Sequence, residues 1–309
     1  MSSQITTAFV KQYSDMLFHL SQQKGSRLRP YVRVEMQKGE SKFYERLGEV
    51  TAVQRLSRHE DTPQIDTPHS RRRVTLVDYV FADLIDDEDK IRTLINPESP
   101  YLQAQAWAHG RAMDDVIIAA ALGNAYSGVD GGTTVTLPNT QKLASVAASA
   151  GANLNVQALR RAKQKLDEQD VDPSIPRYCA LNASALQSLL SETAVTSSDF
   201  NTVKALVQGE LDTFLGFKFI RTERLLARSG ALSFDTTTGA VGSGGGDANG
   251  YERIFCWAQD GLLLSVGKDI LTKIDERSDK NYATQVYSKM SIGATRLEEE
   301  KVVEILCAQ

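Results

Sequence analysis

The sequence predicts an α+β fold, and three observations point there. Two strand-like stretches, "KFYERLGEVTAVQRL" and "RRRVTLVDYVFADL", lie near each other early in the chain; one long helical period follows; and the chain closes on three further strand-like runs, "ILTKIDE", "YATQVYS" and "KVVEILC". Strands and helices mixed in this way pack as an α+β fold. At 309 residues the chain can bury a substantial core in one large domain or two ordinary ones.

From Thr6 to Gly25, the apolar residues Phe9, Tyr13, Met16, Leu17 and Leu20 fall at helical spacing, with Gly25 suited to end the helix. The opposite face carries few cations, so the sticky face is expected to dock on protein rather than on a membrane surface. The two early strands form a long hairpin around "SRHEDTPQIDTPHS", where Asp-Thr-Pro occurs at 61–63 and 66–68 and proline imposes an irregular turn. Strands of about twelve residues would reach about 40 Å. A two-stranded ribbon of that kind is barely stable in water, so something outside it must cover it.

"HSRRRVTLVDYVFADLIDDEDK" carries its arginines at one end and its acids at the other. Asp86, Asp87, Glu88 and Asp89 stand where a short helix would begin, and carboxylates there cap free amides and complement the helix dipole. The longest helix is expected to start with Ser99 as cap and Pro100 in the first turn. Its stripe is Leu102, Ala106, Met113, Ile117 and Ala120.

After the glycine-rich break "SGVDGGTTVTLPNT", a helix capped by Asn155 runs through Leu159, Ala162 and Leu166. Strand-like "RYCALN", then "ASALQSLL" and "DFNTVKALVQGEL", precede strands "FLGFKFI" and "ERIFCWA", with a glycine-rich loop at 239–250. The last forty residues read as an antiparallel closing sheet.

Composition excludes several classes of function. A net charge of −4 argues against a broad basic face that clamps phosphates, so any basic patch is local. Cys179, Cys256 and Cys307 have neither disulfide-framework nor zinc spacing and read as small buried hydrophobes. The N-terminal residues lack the apolar core of a signal peptide. The longest apolar run, "VIIAAAL", falls short of the roughly 18 residues of a membrane span, so a soluble chain made in a cytoplasm is expected.

No catalytic residue, cofactor site or metal site is expected. His19, His59, His69 and His109 show no ligand spacing, and His109, beside the apolar stripe, reads as a hydrogen-bonded structural histidine. "GAVGSGGGDANG" lacks the GK[ST] of a phosphate-binding loop, and no GxSxG elbow occurs. Asp86, Asp87, Asp89, Asp114 and Asp115 are the one carboxylate set suited to a divalent cation. Capping explains the first three, and pairing with Arg111 or a neighbouring chain explains the last two.

What remains are interaction features. Arg55, Arg58, Arg71, Arg72 and Arg73 gather near the end of the hairpin, with Glu60, Asp61 and Asp66 in its loop. A ribbon that cannot stabilise itself is expected to lie across another copy of the chain and pair these groups with it. The expected intersubunit contacts are Arg55, Arg58, Glu60, Asp61, Arg71, Arg72 and Arg73.

In order and spacing, "DTPHSRRRVTLVDYVFADLIDDED" entering "SPYLQAQAWAHGRAMDDVIIAAALGNA", then "VKALVQGELDTFLGFKFIRTERL" and the ending "YATQVYSKMSIGATRLEEEKVVEIL" resemble the major capsid proteins of tailed bacteriophages, the Hong Kong 97 type of fold. The likeness covers nearly the whole chain. It implies an N-terminal arm (1–38), an extended loop (39–84), a peripheral domain (85–139 and 268–309) with a spine helix at about 100–122, and an axial domain (140–267). It also implies self-assembly into the hexamers and pentamers of an icosahedral head around double-stranded DNA, in the virion, after assembly in a host cytoplasm.

Further partners implied are a portal protein and a decoration protein. A separate scaffolding protein is expected because no long charged helical segment precedes the arm. The alternatives are a nanocompartment shell of the same fold and, from another class, a metal enzyme built on the five aspartates above.

Overall fold

The computed structural model describes residues 21–309 except 55–56, 59–60, 62–63, 86–97, 148–149, 152, 193–212, 226, 229–232, 235–240, 243–250, 281 and 309. The chain enters through strand β1 (Arg33–Met36), the hairpin of β2 (Ser41–Leu47) and β3 (His69–Thr75), strand β4 (Val77–Ile85) and helix α1 (Glu98–Leu122). Strands β5 (Ala125–Ser127), β6 (Thr133–Val135) and β7 (Lys142–Ala144) lead to α2 (Val156–Glu168), β8 (Arg177–Leu181), α3 (Ala183–Ser191) and β9 (Phe217–Arg221). The chain closes through β10 (Tyr251–Ala258), β11 (Leu262–Arg277), β12 (Ala283–Arg296) and β13 (Val302–Ala308). Strands of two residues carry no label.

Alternation along the central strands creates two cores. The central sheet runs β9-β8-β10-β13-β7. One of its faces carries Cys179, Leu181, Ile254, Cys256, Val303, Ile305 and Cys307, packed under Leu159, Ala162 and Leu166 of α2 and Ala185, Leu186 and Leu189 of α3. The other carries Tyr178, Ala180, Phe255 and Trp257, packed under Met113, Ile117, Ile118 and Ala121 of α1. The period of two in the strands thus assigns every second residue to each core. All three cysteines are free and buried, as the sequence suggested.

Helix α1 also lies against a second sheet, ordered β1-β11-β12-β4, which contributes Leu264, Val266, Met290 and Ile292 to the same core. At about 1.5 Å per residue, its 25 residues make a rod of roughly 37 Å between the two sheets. The other helices start where polar side chains close their first turns: Asn155 Oδ1 accepts from Ala158 N at 2.7 Å, and Asn182 Oδ1 from Ala185 N at 2.9 Å. "FLGFKFI" is not one strand. Leu215 (φ 53°) and Gly216 (φ 85°) turn the chain back, so 213–214 pairs antiparallel with the start of β9.

The expected hairpin of twelve-residue strands is shorter and is divided between two sheets. β2 and β3 pair from Ser41↔Thr75 to Leu47↔His69. Pairing ends where Pro68, which has no N–H, accepts from Gly48 N at 2.8 Å. After Leu76 the chain leaves the hairpin, and β4 pairs with β12 from Val77↔Ile292 to Ile85↔Thr284. Residues 77–85 therefore pair with the long sheet, whereas 71–84 was expected to continue as one strand of the hairpin.

The closing strands are likewise not one sheet. β11 and β12 form a long antiparallel pair, whereas β13 crosses to the central sheet and pairs with β10 on one side and β7 on the other. Residues 6–20 of the expected N-terminal helix, the acidic cap at Asp86, Asp87, Glu88 and Asp89, and "DFNTVKALVQGEL" lie outside the described residues, as does most of the loop at 239–250; residues 21–25, where that helix was expected to end, are not helical.

Candidate assembly interface

The hairpin has two unlike faces. Lys42, Tyr44 and Arg46 of β2, with Ser70, Arg72 and Val74 of β3, turn toward the body, while Phe43, Glu45, Leu47, His69 and Arg71 turn outward. The three consecutive arginines therefore separate. Exposed Arg71 donates from Nη2 to Glu45 Oε1 at 2.9 Å. Arg73 lies with its guanidinium carbon 5.4 Å from the ring centre of Tyr126 and donates to the carbonyl of Asp130 at 3.3 Å.

Arg72 is 1 % exposed and ion-paired with Glu299 of its own chain, so it is not available to a neighbour. Where an intersubunit contact was expected, strand alternation turns it into its own protomer, between Arg71 and Arg73 on the outward face. Of the other expected contacts, Arg58 and Asp61 are exposed, and Arg55 and Glu60 lie outside the described residues.

Around Glu299 the structure assembles a cluster that the sequence did not suggest. Arg46 reaches its Oε2 at 3.6 Å, Arg296 its Oε1 at 3.5 Å, and Arg46 also donates to the Leu297 carbonyl at 2.6 Å. Arg296, fully buried, donates to the carbonyls of Ala121 (2.9 Å) and Gly123 (3.0 Å), which end α1 without helical partners of their own. It also donates to the Val135 carbonyl at 3.3 Å. Next to it, Arg253 pairs with buried Glu304 and donates to the Leu122 carbonyl at 3.0 Å.

Burial lowers the pKa of both Arg72 and Arg296; Glu299 opposes it, and a neighbouring guanidinium adds to it. One carboxylate thus joins both hairpin strands, the turn after β12 and the end of α1. Its only sequence signal is the spacing of Arg296 and Glu299 in "TRLEEE".

About two turns before that end of α1, the segment 23–28 lies across the helix as a strap. Asp114, fully buried, accepts from Ser26 Oγ at 2.6 Å, Arg27 N at 3.0 Å, Leu28 N at 3.1 Å and the Gln23 amide. Arg111 donates to Gln22 Oε1 at 2.8 Å, not to either aspartate. The strap lies so close that a Cβ on Gly110 would come within 2.6 Å of the Ser26 nitrogen. Asp115 forms a bidentate pair with Arg224, with one bond of 2.6 Å. Asp114 and Asp115 therefore serve separate partners, and no group of three metal-ligating side chains occurs among the described residues.

His109 sits between α1 and β12, with Nε2 2.8 Å from Ser288 Oγ. Burial holds its pKa below the ordinary 6.5, and the contact with Ser288 offsets this only in part. The unfolded chain then binds the proton more readily, so the contribution is full above about pH 6.5 and is lost as pH falls toward the folded value. A His109→Gln variant should show a flatter decline of its urea midpoint between neutral pH and pH 5 than the parent protein; parallel curves would refute the assignment.

A family model described as phage capsid protein matches residues 5–309. The chain belongs to that family. Solved structures agree on the fold of this capsid protein: a cyanophage P-SCSP1u capsid protein aligns at a TM-score of 0.71 and 16 % identity, covering 100 % of this chain and 96 % of the other. The capsid of cyanophage Pam1 aligns at 0.71 and 14 % identity (98 % and 97 % covered), and a chain of Mycobacterium phage Che8 at 0.69 and 15 % (96 % and 97 %).

No curated protein matches. The capsid protein is thus a virion component with the phage major capsid fold. No helix among the described residues is long and apolar enough to cross a membrane.

Proposed function

We propose that this protein is a structural, non-catalytic subunit that assembles with its own copies into the hexamers and pentamers of an icosahedral head enclosing double-stranded DNA. The observation that carries the reading is the segment beyond the hairpin, 48–68, whose described residues form no helix or strand and leave apolar side chains in water. Val53 is 58 % exposed, and Val50 and Ile65 are exposed as well, next to Leu47 at the end of β2, which is 68 % exposed. Among the described residues β4 is the last strand of its sheet, and it exposes Val77, Val80, Phe81 and Leu84. Open, apolar strand edges in a soluble protein call for a covering partner. A projection and an edge that differ in shape give a head-to-tail contact, the kind that closes into rings.

Arg58, Asp61 and Arg71 are the charged groups of the projection that this reading assigns to the neighbour. An Arg58→Glu, Arg71→Glu double variant should keep the parent's unfolding midpoint and lose particle formation in negative-stain microscopy; particles at normal yield would overturn the assignment. Arg72 is left out of the variant because its reversal would bring two carboxylates together in the interior.

A further inference from the structure

We infer that Cys179 of β8 and Cys256 of β10 are a redox pair that closes to a disulfide across the two strands in oxidising surroundings, such as a virion component meets outside a cell. The pair lies inside one protomer, so its chemistry is independent of how subunits pack in a shell.

The two cysteines stand directly opposite each other in the antiparallel register. Facing residues in such a ladder alternate between pairs that exchange backbone hydrogen bonds and pairs that do not. Two bonds fix which kind this is. Gln259 N donates to the Pro176 carbonyl at 3.1 Å, so Pro176 and Gln259, one step beyond Arg177↔Ala258, are a bonded pair. Ala258 N donates to the Lys301 carbonyl at 3.0 Å, so Ala258 turns its amide toward the β13 side and away from β8. Arg177↔Ala258 is therefore a non-bonded pair, and so is Cys179↔Cys256, two residues further in.

That pairing brings the sulfurs within reach. In a non-bonded pair the Cα atoms approach to about 4.5 Å, and the Cβ atoms lie at the short end of roughly 4.5–5.5 Å. A disulfide needs about 3.5–4.5 Å between the Cβ atoms, which a small shift of the two strands supplies. Both side chains enter the core under α2 and α3. Cys307 shares that core and is also buried and free, but it faces Glu252, four residues along β10 from Cys256. At about 3.3 Å per residue this is roughly 13 Å of strand, beyond the span of a disulfide. Packing treats the three cysteines alike; the register separates them.

A hydroperoxide serves as oxidant. One thiolate attacks the peroxide, the O–O bond breaks, and a sulfenic acid forms while the departing hydroxide takes up a proton to become water. The other sulfur then attacks the first. The S–S bond forms, the S–O bond breaks, and a second water leaves with the attacking thiol's proton, so two thiols are oxidised and one peroxide is reduced. Burial holds the Cys256 thiol well above its ordinary pKa, and closure therefore waits on brief openings of the strand pair.

The test is overnight exposure of the purified full chain to dilute hydrogen peroxide at mildly alkaline pH. Thiols titrated after unfolding in urea should fall from three to one and return to three with dithiothreitol. Tryptic peptides 178–204 and 254–268 should appear joined, lighter than their sum by two hydrogens. In a Cys307→Ala variant the titre should fall from two to none, whereas Cys179→Ala and Cys256→Ala should each keep both remaining thiols. The oxidised parent should also unfold at a urea midpoint higher by about 1 M.

The peptide map is read on the parent itself, so its result stands even where a core substitution fails to fold. Three thiols after treatment, a bond that includes Cys307, or oxidation of single cysteines to sulfonic acid without the joined peptides would overturn the inference.

Discussion

Replacing Glu299 with glutamine destabilises the capsid protein by about 3–5 kcal/mol, because it leaves buried guanidiniums without a counter-charge. Arg72 and Arg296 have almost no contact with water, and each already has its charged form disfavoured by burial. Glutamine preserves the shape and one acceptor but removes the charge that opposes that effect. Urea unfolding of soluble subunits measures the loss, with Glu298→Gln as the comparison: Glu298 is 41 % exposed in its pairing with Lys301 and should cost at most about 1 kcal/mol. Similar shifts for the two variants would mean that Glu299 does not neutralise the cluster. Amide exchange should also rise across β2 and β3, since Arg46 and Arg72 tie both strands to this carboxylate.

An Asp114→Ala variant should lose about 3 kcal/mol or more, the sum of several hydrogen-bond donors left unpaired. The carboxylate holds a hydroxyl and two backbone amides of the strap, and Leu28 at its centre is fully buried. Amide exchange at Arg27 and Leu28 should accelerate while that of β8 and β10 stays slow. Gly110→Ala reaches the same outcome by a different route, forcing a methyl group against the backbone of Gly25 and Ser26. Asp115→Ala, which breaks an exposed pair with Arg224, should cost no more than about 1 kcal/mol. If Asp114→Ala cost no more than Asp115→Ala, the strap would not depend on this residue.

Much of the fold could be read from local pattern. Helices α1 and α2 and the strand from Arg177 to Leu181 follow from spacing and an Asn cap, because short-range periodicity decides them. The sheet to which a strand belongs does not. "KVVEILC" looks the same whether it pairs with β12 or with β10, and the choice depends on contacts some fifty residues away. The three arginines show a different failure. Read as one charged block they point to a neighbour; read with the period of two, the middle one shares its face with Val74 and turns inward. That reading would still not have supplied Glu299, 227 positions further along the chain.

Leu76 is the only residue between a strand held in the hairpin sheet and one held in the long sheet, and its amide donates to the Glu40 carbonyl at 2.9 Å. On this side the projection is thus tethered by nearly continuous extended backbone, whereas residues 37–40 form a short bend between β1 and β2 on the other. A pull on its far end loads the ladder between β4 and β12 in shear, across nine residue pairs that must yield together. Mechanical stress on the projection would pass along this strand into the protomer's interior as tension.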